Sequence, residues 1–159
     1  MKKLVIIRHS KSTEKDTKID DFDRPLSAEG IDDSSWIVTA LKNKGIFPDL
    51  ILSSPALRAI STANIISKEI GYTKEITQNQ YIYEAYVNTL QEIVSYIEDS
   101  NDTVFLIGHN PAISALAYML CNLKKSIPTS SVVEIEFNVD SWMDIAKENS
   151  TLISYSFPQ

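Results

Sequence analysis

The chain has few of the residues from which disulfides, metal sites and membrane spans are built. It contains a single cysteine, Cys121, which excludes an internal disulfide and any metal site made of several cysteines. Its two histidines, His9 and His109, have no aspartate or glutamate at the spacing of a zinc site. No apolar run is long enough to cross a membrane. The chain also lacks a glycine-rich nucleotide-binding loop and a G-x-S-x-G nucleophile elbow.

The chain is acidic, with a net charge of −6. An acidic protein repels nucleic acid and anionic membrane surfaces, so neither is an expected partner. Any anionic ligand would need a local cluster of positive groups, which makes the position of each arginine and histidine informative. The N-terminal MKKLVII is basic and then apolar, but its apolar part is shorter than that of a signal peptide. We therefore expect a cytoplasmic protein.

Apolar runs of strand length alternate with segments of helical period, which predicts an α/β fold. The 159 residues suit one domain, spanning residues 1–159. Buried strands are predicted at 4–7, 50–52 and 103–107, a shorter strand near 75–77, and sheet edges at 132–139 and 152–157. The predicted helices lie between the strands, so we expect a three-layer sandwich with a mostly parallel central sheet and helices on both faces.

Four sequence signals mark the predicted helix starts. Ser27 is expected to cap the first helix, and Ser54-Pro55 and Asn110-Pro111 resemble a capping residue followed by a proline at the first helical position. Asn88 with Gln91 resembles a capping box. Gly45 and Gly71 are expected to end the first two helices, and Cys121 to be a packed thiol within the last.

Cationic or cationisable groups follow three of the predicted strands. Arg8 and His9 follow the first, Arg58 stands one turn into the helix after the second, and His109 follows the third. Parallel strands bring these ends to one edge of the sheet, where ligands of such folds bind. A histidine after a strand is more often structural, and an arginine in a first helical turn usually points into water. Four such groups at one edge of an acidic protein nevertheless favour a phosphate pocket.

The ordered motifs resemble the histidine phosphatase superfamily, whose mark is Arg-His-Gly after the first strand, and within it the SixA-like phosphohistidine phosphatases. The resemblance covers nearly the whole chain and rests on these segments: LVIIRHSKS, DFDRPLSAEG, PDLILSSPALRAISTA, IYEAY, FLIGHNPAI and SVVEIEFNVDSWMDI. It implies a phosphoglycerate mutase-like fold. It also implies that His9 is the nucleophile, that Arg8, Arg58 and His109 hold the transferring phosphoryl group, and that no metal or cofactor is required.

Several positions leave alternatives open. Ser10 stands where the family usually has glycine or alanine, and its hydroxyl is expected to add a donor to the phosphate site. Glu84 in IYEAY is the best match to the family's general acid, or else a solvated loop carboxylate. For Arg24 the simpler interpretation is that it fixes the loop before the first helix, and the alternative is that it lies at the pocket rim. Lys11 is either a charge at the rim or a solvated one.

The resemblance implies a phosphatase acting on phosphohistidine in a partner protein. The alternatives are a phosphatase of small phosphoesters, such as a sugar phosphate, and a phosphate- or phosphoprotein-binding module without turnover. The longest loops, 10–26 and 72–87, leave little to cap the pocket. An open pocket does not suit a phosphoglycerate mutase, which must retain its intermediate.

Overall fold

The computed structural model describes residues 1–159 and is built on one six-stranded sheet. The strands are β1 (Lys2–Arg8), β2 (Leu50–Ser53), β3 (Thr77–Gln78), β4 (Thr103–Gly108), β5 (Val132–Phe137) and β6 (Ser150–Ser156). Their order is β3-β2-β4-β1-β5-β6; the first four are parallel, and β5 and β6 continue antiparallel. The predicted mostly parallel sheet is confirmed.

Helices cover both faces of this sheet, as the sequence predicts. Helices α1 (Ala28–Asn43) and α2 (Leu57–Ile70) pack on one face, against Val5 and Ile7 of β1. Helices α3 (Val87–Ser95) and α4 (Ala112–Cys121) pack on the other, against Leu4 and Ile6. Successive residues of a strand point to opposite faces, so a strand covered on both sides is apolar at every position. This is why LVII is an unbroken apolar run.

One predicted edge strand is central. β5 lies between β1 and β6 and is almost entirely buried, so the edge assignment of 132–139 is wrong, whereas that of 152–157 is right. The alternating pattern misled because Glu134, which reads as solvent-facing, is 3% exposed and bonded to Lys3, with Nζ and Oε2 2.7 Å apart. An ion pair lets a polar residue occupy a covered position.

The predicted helix ends are correct only in part. The Ser27 side chain accepts a hydrogen bond from the Gly30 amide, and Gly71 ends α2 with a φ of 84°, both as expected. α2 begins at Leu57, two residues after Pro55, so Ser54 does not cap it. The Ser54 hydroxyl instead accepts from the Ala56 amide, 3.2 Å away, in the turn before the helix.

The other two caps are also wrong. α3 begins at Val87, so Asn88 lies inside the helix, and the preceding Tyr86 makes no side-chain cap. The Asn110 side chain donates to the Ile127 carbonyl and accepts from the Ser114 hydroxyl, so it caps no backbone amide of α4. At Asn110 a tertiary contact thus takes the polar side chain that local sequence assigns to a cap.

Two smaller expectations concern Cys121 and membrane spans. Cys121 lies at the end of α4, half-buried, with its thiol donating to the Ala117 carbonyl over 3.2 Å, which agrees with a packed thiol. Burial raises the pKa of this thiol. No helix of the structure has the length and apolar character needed to cross a membrane.

Candidate active site

The ends of β1, β2 and β4 lie side by side and form the floor of a cleft. In the sheet register Arg8 of β1 is beside Gly108 of β4, and Ser53 of β2 is beside Ile107. Arg8, His9, Arg58 and His109 therefore line one cleft of about 700 Å³, as their positions after the strands predict. The loop before α1 and the segment before α3 supply its walls, through Lys15, Ile19, Asp21, Tyr83 and Glu84.

His9 is 6% exposed and has a defined tautomer. Its Nδ1 lies 2.7 Å from the Ser10 carbonyl oxygen, which accepts only, so Nδ1 carries the proton and Nε2 keeps a free lone pair. Burial, followed by the charges of Arg58 and Arg8, lowers the pKa of His9 from 6.5 to about 4. The imidazole is therefore neutral at pH 7 and able to act as a nucleophile through Nε2.

His109 faces His9, with 5.0 Å between the ring centroids. Its Nε2 lies 2.8 Å from the Ser54 hydroxyl. That buried hydroxyl accepts the Ala56 amide proton and has no other acceptor for its own proton, which it therefore donates to Nε2. Nδ1 is then the protonated nitrogen, a neutral donor. Burial and the nearby His9 and Arg58 lower the pKa of His109 to about 3.

Asp21 connects two arginines of the cleft. Its Oδ2 accepts from Arg58 Nη2 over 3.0 Å, and its Oδ1 from Arg24 Nη2 over 2.9 Å. The Tyr83 hydroxyl also donates to Oδ2, over 2.8 Å. Although burial acts to raise it, these hydrogen bonds hold the pKa of Asp21 well below its usual range. Burial and the bond to Asp21 raise the pKa of Tyr83 to about 12.

The cleft contains every buried side-chain nitrogen or oxygen that lacks a partner in the molecule. There are four such atoms, and all are donors: Arg8 Nε, Arg24 Nε, Arg58 Nε and His109 Nδ1. Buried donors without partners are costly and rare, so four on residues that line one cleft favour an acceptor bound there. An oxyanion with several acceptor oxygens would satisfy them together. This includes Arg24, for which the sequence favours a purely structural role.

Of the predicted site residues Ser10 and Glu84, only Glu84 lines the cleft. The Ser10 side chain is fully buried and bonded to other serines, and the Ser10 amide donates to Thr62 Oγ1, 3.0 Å away. Ser10 therefore adds no donor to the cleft, and the expectation that its hydroxyl joins the phosphate site is wrong. Glu84 does line the cleft, exposed to solvent, with a left-handed φ of 54°. A non-glycine residue held in that region is typical of functional sites.

Lys11 lies at the rim of the cleft, and the acidic side chains do not gather into a metal site. Lys11 is 56% exposed, lines the cleft, and its ammonium lies 2.9 Å from a Glu29 oxygen, so it is a rim charge that is already paired. No group of three or more histidine, cysteine, aspartate or glutamate side chains lies together as metal ligands do.

Sequence reasoning missed Asp21, Tyr83 and Ser54. Asp21 is in a short 3-10 turn within a polar loop, where no periodic pattern shows which carboxylate points inward. Tyr83 is adjacent to Glu84, and its position beside an expected site residue was the available signal. Its ring packs edge-on against His109, with centroids 5.5 Å apart. Ser54 was expected to cap a helix, so its hydrogen bond with His109 was not predicted.

Comparisons with known proteins show the family of the chain. The sequence profile described as "Histidine phosphatase superfamily (branch 1)" matches residues 4–95, more than half of the chain. An uncharacterised chloroplastic protein of Arabidopsis thaliana is 28% identical over 151 residues, which is 89% of this chain and 69% of that protein. An uncharacterised protein of Mycobacterium tuberculosis is 26% identical over 164 residues, covering 96% of this chain and 100% of that protein.

Solved structures share the fold over almost the whole chain. A protein of Agrobacterium tumefaciens that carries the name phosphohistidine phosphatase SixA aligns with a TM-score of 0.85 at 23% identity, covering 99% of this chain and 98% of that one. The protein histidine phosphatase SixA in complex with tungstate aligns with a TM-score of 0.82 at 19% identity, covering 98% and 96%. A mycobacterial glucosyl-3-phosphoglycerate phosphatase aligns with a TM-score of 0.68 at 16% identity, covering 96% and 97%.

Proposed function

Because this chain belongs to the histidine phosphatase superfamily (branch 1), we propose that it hydrolyses phosphohistidine in a partner protein through a covalent phosphohistidine on His9. The observation that carries the proposal is the cluster of four unpartnered buried donors beside an imidazole with a free Nε2. The donors suit a phosphoryl group, and the imidazole suits attack on it. A module that only binds phosphate does not need a neutral histidine with a free, oriented nitrogen among its arginines, because binding requires donors and not a nucleophile.

The proposed reaction has two displacements at phosphorus. In the first, the Nε2 lone pair of His9 attacks phosphorus, and the bond from phosphorus to the substrate nitrogen breaks with its electron pair going to that nitrogen. In the second, water attacks the phosphorus on His9, the bond to Nε2 breaks, and inorganic phosphate leaves while the water proton passes to solvent. Arg8, Arg24, Arg58 and His109 Nδ1–H would bind the non-reacting oxygens in both steps.

The supply of protons favours a phosphohistidine substrate. Two polar groups beside the arginines do not release a proton: hydrogen bonds keep Asp21 ionised, and burial together with the bond to Asp21 keeps the Tyr83 proton on its oxygen. A phosphohistidine ring can take a proton from solvent on its other nitrogen and then leave as neutral imidazole. An alkyl phosphate needs a protein acid at its leaving oxygen. A phosphohistidine substrate therefore suits a cleft in which Asp21 and Tyr83 donate no proton.

The second candidate is a phosphatase of small phosphoesters, and Glu84 is the observation that favours it. Glu84 lines the cleft with a strained backbone and would be the proton donor to an ester oxygen. The cleft is wide enough for a small phosphoester, at about 700 Å³. In that case Glu84 would be essential for turnover, whereas the phosphohistidine reaction would not depend on it.

The experiment compares two substrates across two variants. Wild type, His9→Ala and Glu84→Gln are incubated with a phosphohistidine-bearing protein and with an alkyl phosphate, glycerol phosphate, each with and without a chelator. The proposal predicts chelator-resistant hydrolysis of phosphohistidine by wild type and Glu84→Gln, and none by His9→Ala. Turnover by His9→Ala would refute the covalent step. Ester turnover that is lost in Glu84→Gln, with poor turnover of phosphohistidine by wild type, would favour the ester phosphatase instead, and loss with chelator would refute a metal-free reaction.

A further inference from the structure

The buried Ser10 side chain is the centre of a chain of hydroxyl groups. Its Oγ lies 2.7 Å from Ser130 Oγ and 2.9 Å from Ser34 Oγ, and Ser34 Oγ lies 2.8 Å from the Gly30 carbonyl oxygen. Each hydroxyl has one proton to donate. The order that satisfies all three runs from Ser130 to Ser10, from Ser10 to Ser34 and from Ser34 to the carbonyl. Such a chain links the loop after β1 to α1 and to the segment before β5.

The segment Ile127–Ser130, between α4 and β5, contacts the ends of both site-bearing strands. The Ser130 amide lies 3.2 Å from the carbonyl oxygens of Arg8 and of His9. The Ile127 carbonyl accepts from Arg8 Nη1 over 3.0 Å and from Asn110 Nδ2 over 2.9 Å. One short segment thus holds the backbone or the side chain of residues at the ends of β1 and β4.

The Ser10 peptide in turn orients His9. The Ser10 carbonyl is the acceptor that fixes the proton on His9 Nδ1 and leaves Nε2 free. The Ser10 amide is bonded to Thr62 of α2, whose own hydroxyl donates to the Arg58 carbonyl over 2.8 Å. With its side chain in the hydroxyl chain, Ser10 is held at three points, and its carbonyl has little freedom to turn away from the imidazole.

We propose that Ser130 and Ser34 are positioning residues, which act through the Ser10 hydroxyl to hold the carbonyl that orients His9. The proposal rests on the proposed function in one respect, that His9 is the nucleophile. It explains how a chain with serine after the nucleophile keeps the loop rigid, because the hydroxyl gains two buried partners. A reacting atom displaced by about 1 Å slows a reaction by up to roughly a hundredfold, so the orientation matters for rate.

The variants are Ser130→Gly and Ser34→Ala, with Ser131→Ala as the matched control. Glycine suits the left-handed φ of 64° at Ser130, so Ser130→Gly removes the hydroxyl and relieves the backbone. Ser131 is equally buried, but its hydroxyl bonds only the Pro128 carbonyl, over 2.6 Å. The first measurement is the exchange with water of the Nδ1 proton of His9, by ¹⁵N-edited NMR of the histidine rings without substrate. The second is the rate of phosphoenzyme formation.

We expect exchange of the His9 Nδ1 proton to quicken roughly tenfold in Ser130→Gly and Ser34→Ala, and phosphoenzyme formation to slow roughly tenfold with KM within about threefold. Ser131→Ala should match wild type in both measurements. Variants that lose stability but keep wild-type exchange and rate would overturn the proposal, because the hydroxyl chain would then only support the fold. If wild type forms no phosphoenzyme, the proposed function fails, and the NMR measurement alone decides whether the serines position His9.

Discussion

Lowering the pH from 7 to 5 should destabilise the folded protein through its two histidines. Both are buried and neutral, with pKa values of about 4 for His9 and about 3 for His109 against 6.5 for an unperturbed ring. A pKa that is lower in the folded state means that the unfolded chain binds protons first as the pH falls. Above pH 6.5 the rings are neutral in both states, and the unfolding free energy keeps its full value. Below pH 6.5 protonation favours the unfolded chain, and the unfolding free energy falls as the pH falls towards 4.

The size of this destabilisation follows from the two pKa shifts. At pH 5 an unfolded histidine is protonated and the folded one is not, which costs about 2 kcal/mol for each ring and about 4 kcal/mol for the two. Typical domains of this size are stable by only about 5–15 kcal/mol, so the loss is large. Asp21 does not contribute in this range, because its lowered pKa adds stability that is lost only below pH 3.8.

The assay is urea unfolding at pH 7, 6 and 5, on wild type and on the variants His9→Gln and His109→Gln. Each variant lacks one of the two histidines of the chain, so each should lose about half of the wild-type pH dependence. An NMR titration of the ring protons checks the same claim directly, and neither ring should titrate above pH 5. A wild-type unfolding free energy that is equal at pH 7 and pH 5, or a ring that titrates near 6.5, would refute the reasoning.

Three further predictions test separate parts of the structure. Arg58→Lys should lower kcat/KM roughly a hundredfold, because one ammonium cannot both pair with Asp21 and donate to the phosphoryl group; an effect under threefold in steady-state kinetics would contradict this. Glu84→Gln should change kcat on phosphohistidine less than about threefold while slowing alkyl phosphate hydrolysis roughly a hundredfold, with both substrates assayed on one preparation. Gly30→Ala should lower the unfolding free energy by about 1–3 kcal/mol, because its Cβ would collide with the Lys11 carbonyl; an unchanged urea midpoint would show that α1 can move aside.

The sheet and its ligand-binding edge could be predicted from the sequence because their signals are local and strong. LVII and VFLI are apolar at every position, which identifies strands covered on both faces, and the residues after them share one edge. Ser27 and Gly71 are helix ends whose partners lie within one turn, so they too follow from local sequence. These local signals were enough to predict that four side chains converge at one edge of the sheet: Arg8, His9, Arg58 and His109.

The other features of the site and of the helix ends depend on contacts between residues far apart in the chain. Ser54 and Asn110 are good capping residues by local rules, but His109 and Ile127 take their side chains. Asp21 reaches Arg58 from a loop 37 residues away, and Ser10 reaches Ser130 across 120 residues. No periodicity or spacing encodes such pairs, because tertiary packing alone brings them together. The expectation for the Ser10 hydroxyl failed for the same reason, because its partners Ser34 and Ser130 lie far from it in the chain.

The most direct measurement locates the phosphoryl group on the enzyme. Wild type is mixed with a phosphohistidine protein, quenched in alkali within milliseconds and digested, and its peptides are sequenced by mass spectrometry alongside His9→Ala. ³¹P NMR of the alkali-quenched phosphoenzyme then identifies the phosphorylated ring nitrogen. The account predicts one acid-labile phosphoryl group on His9, attached at Nε2 because Nδ1 donates to the Ser10 carbonyl, and none in the variant. A phosphoryl group on a serine, on His109 or on Nδ1 of His9 would contradict the account.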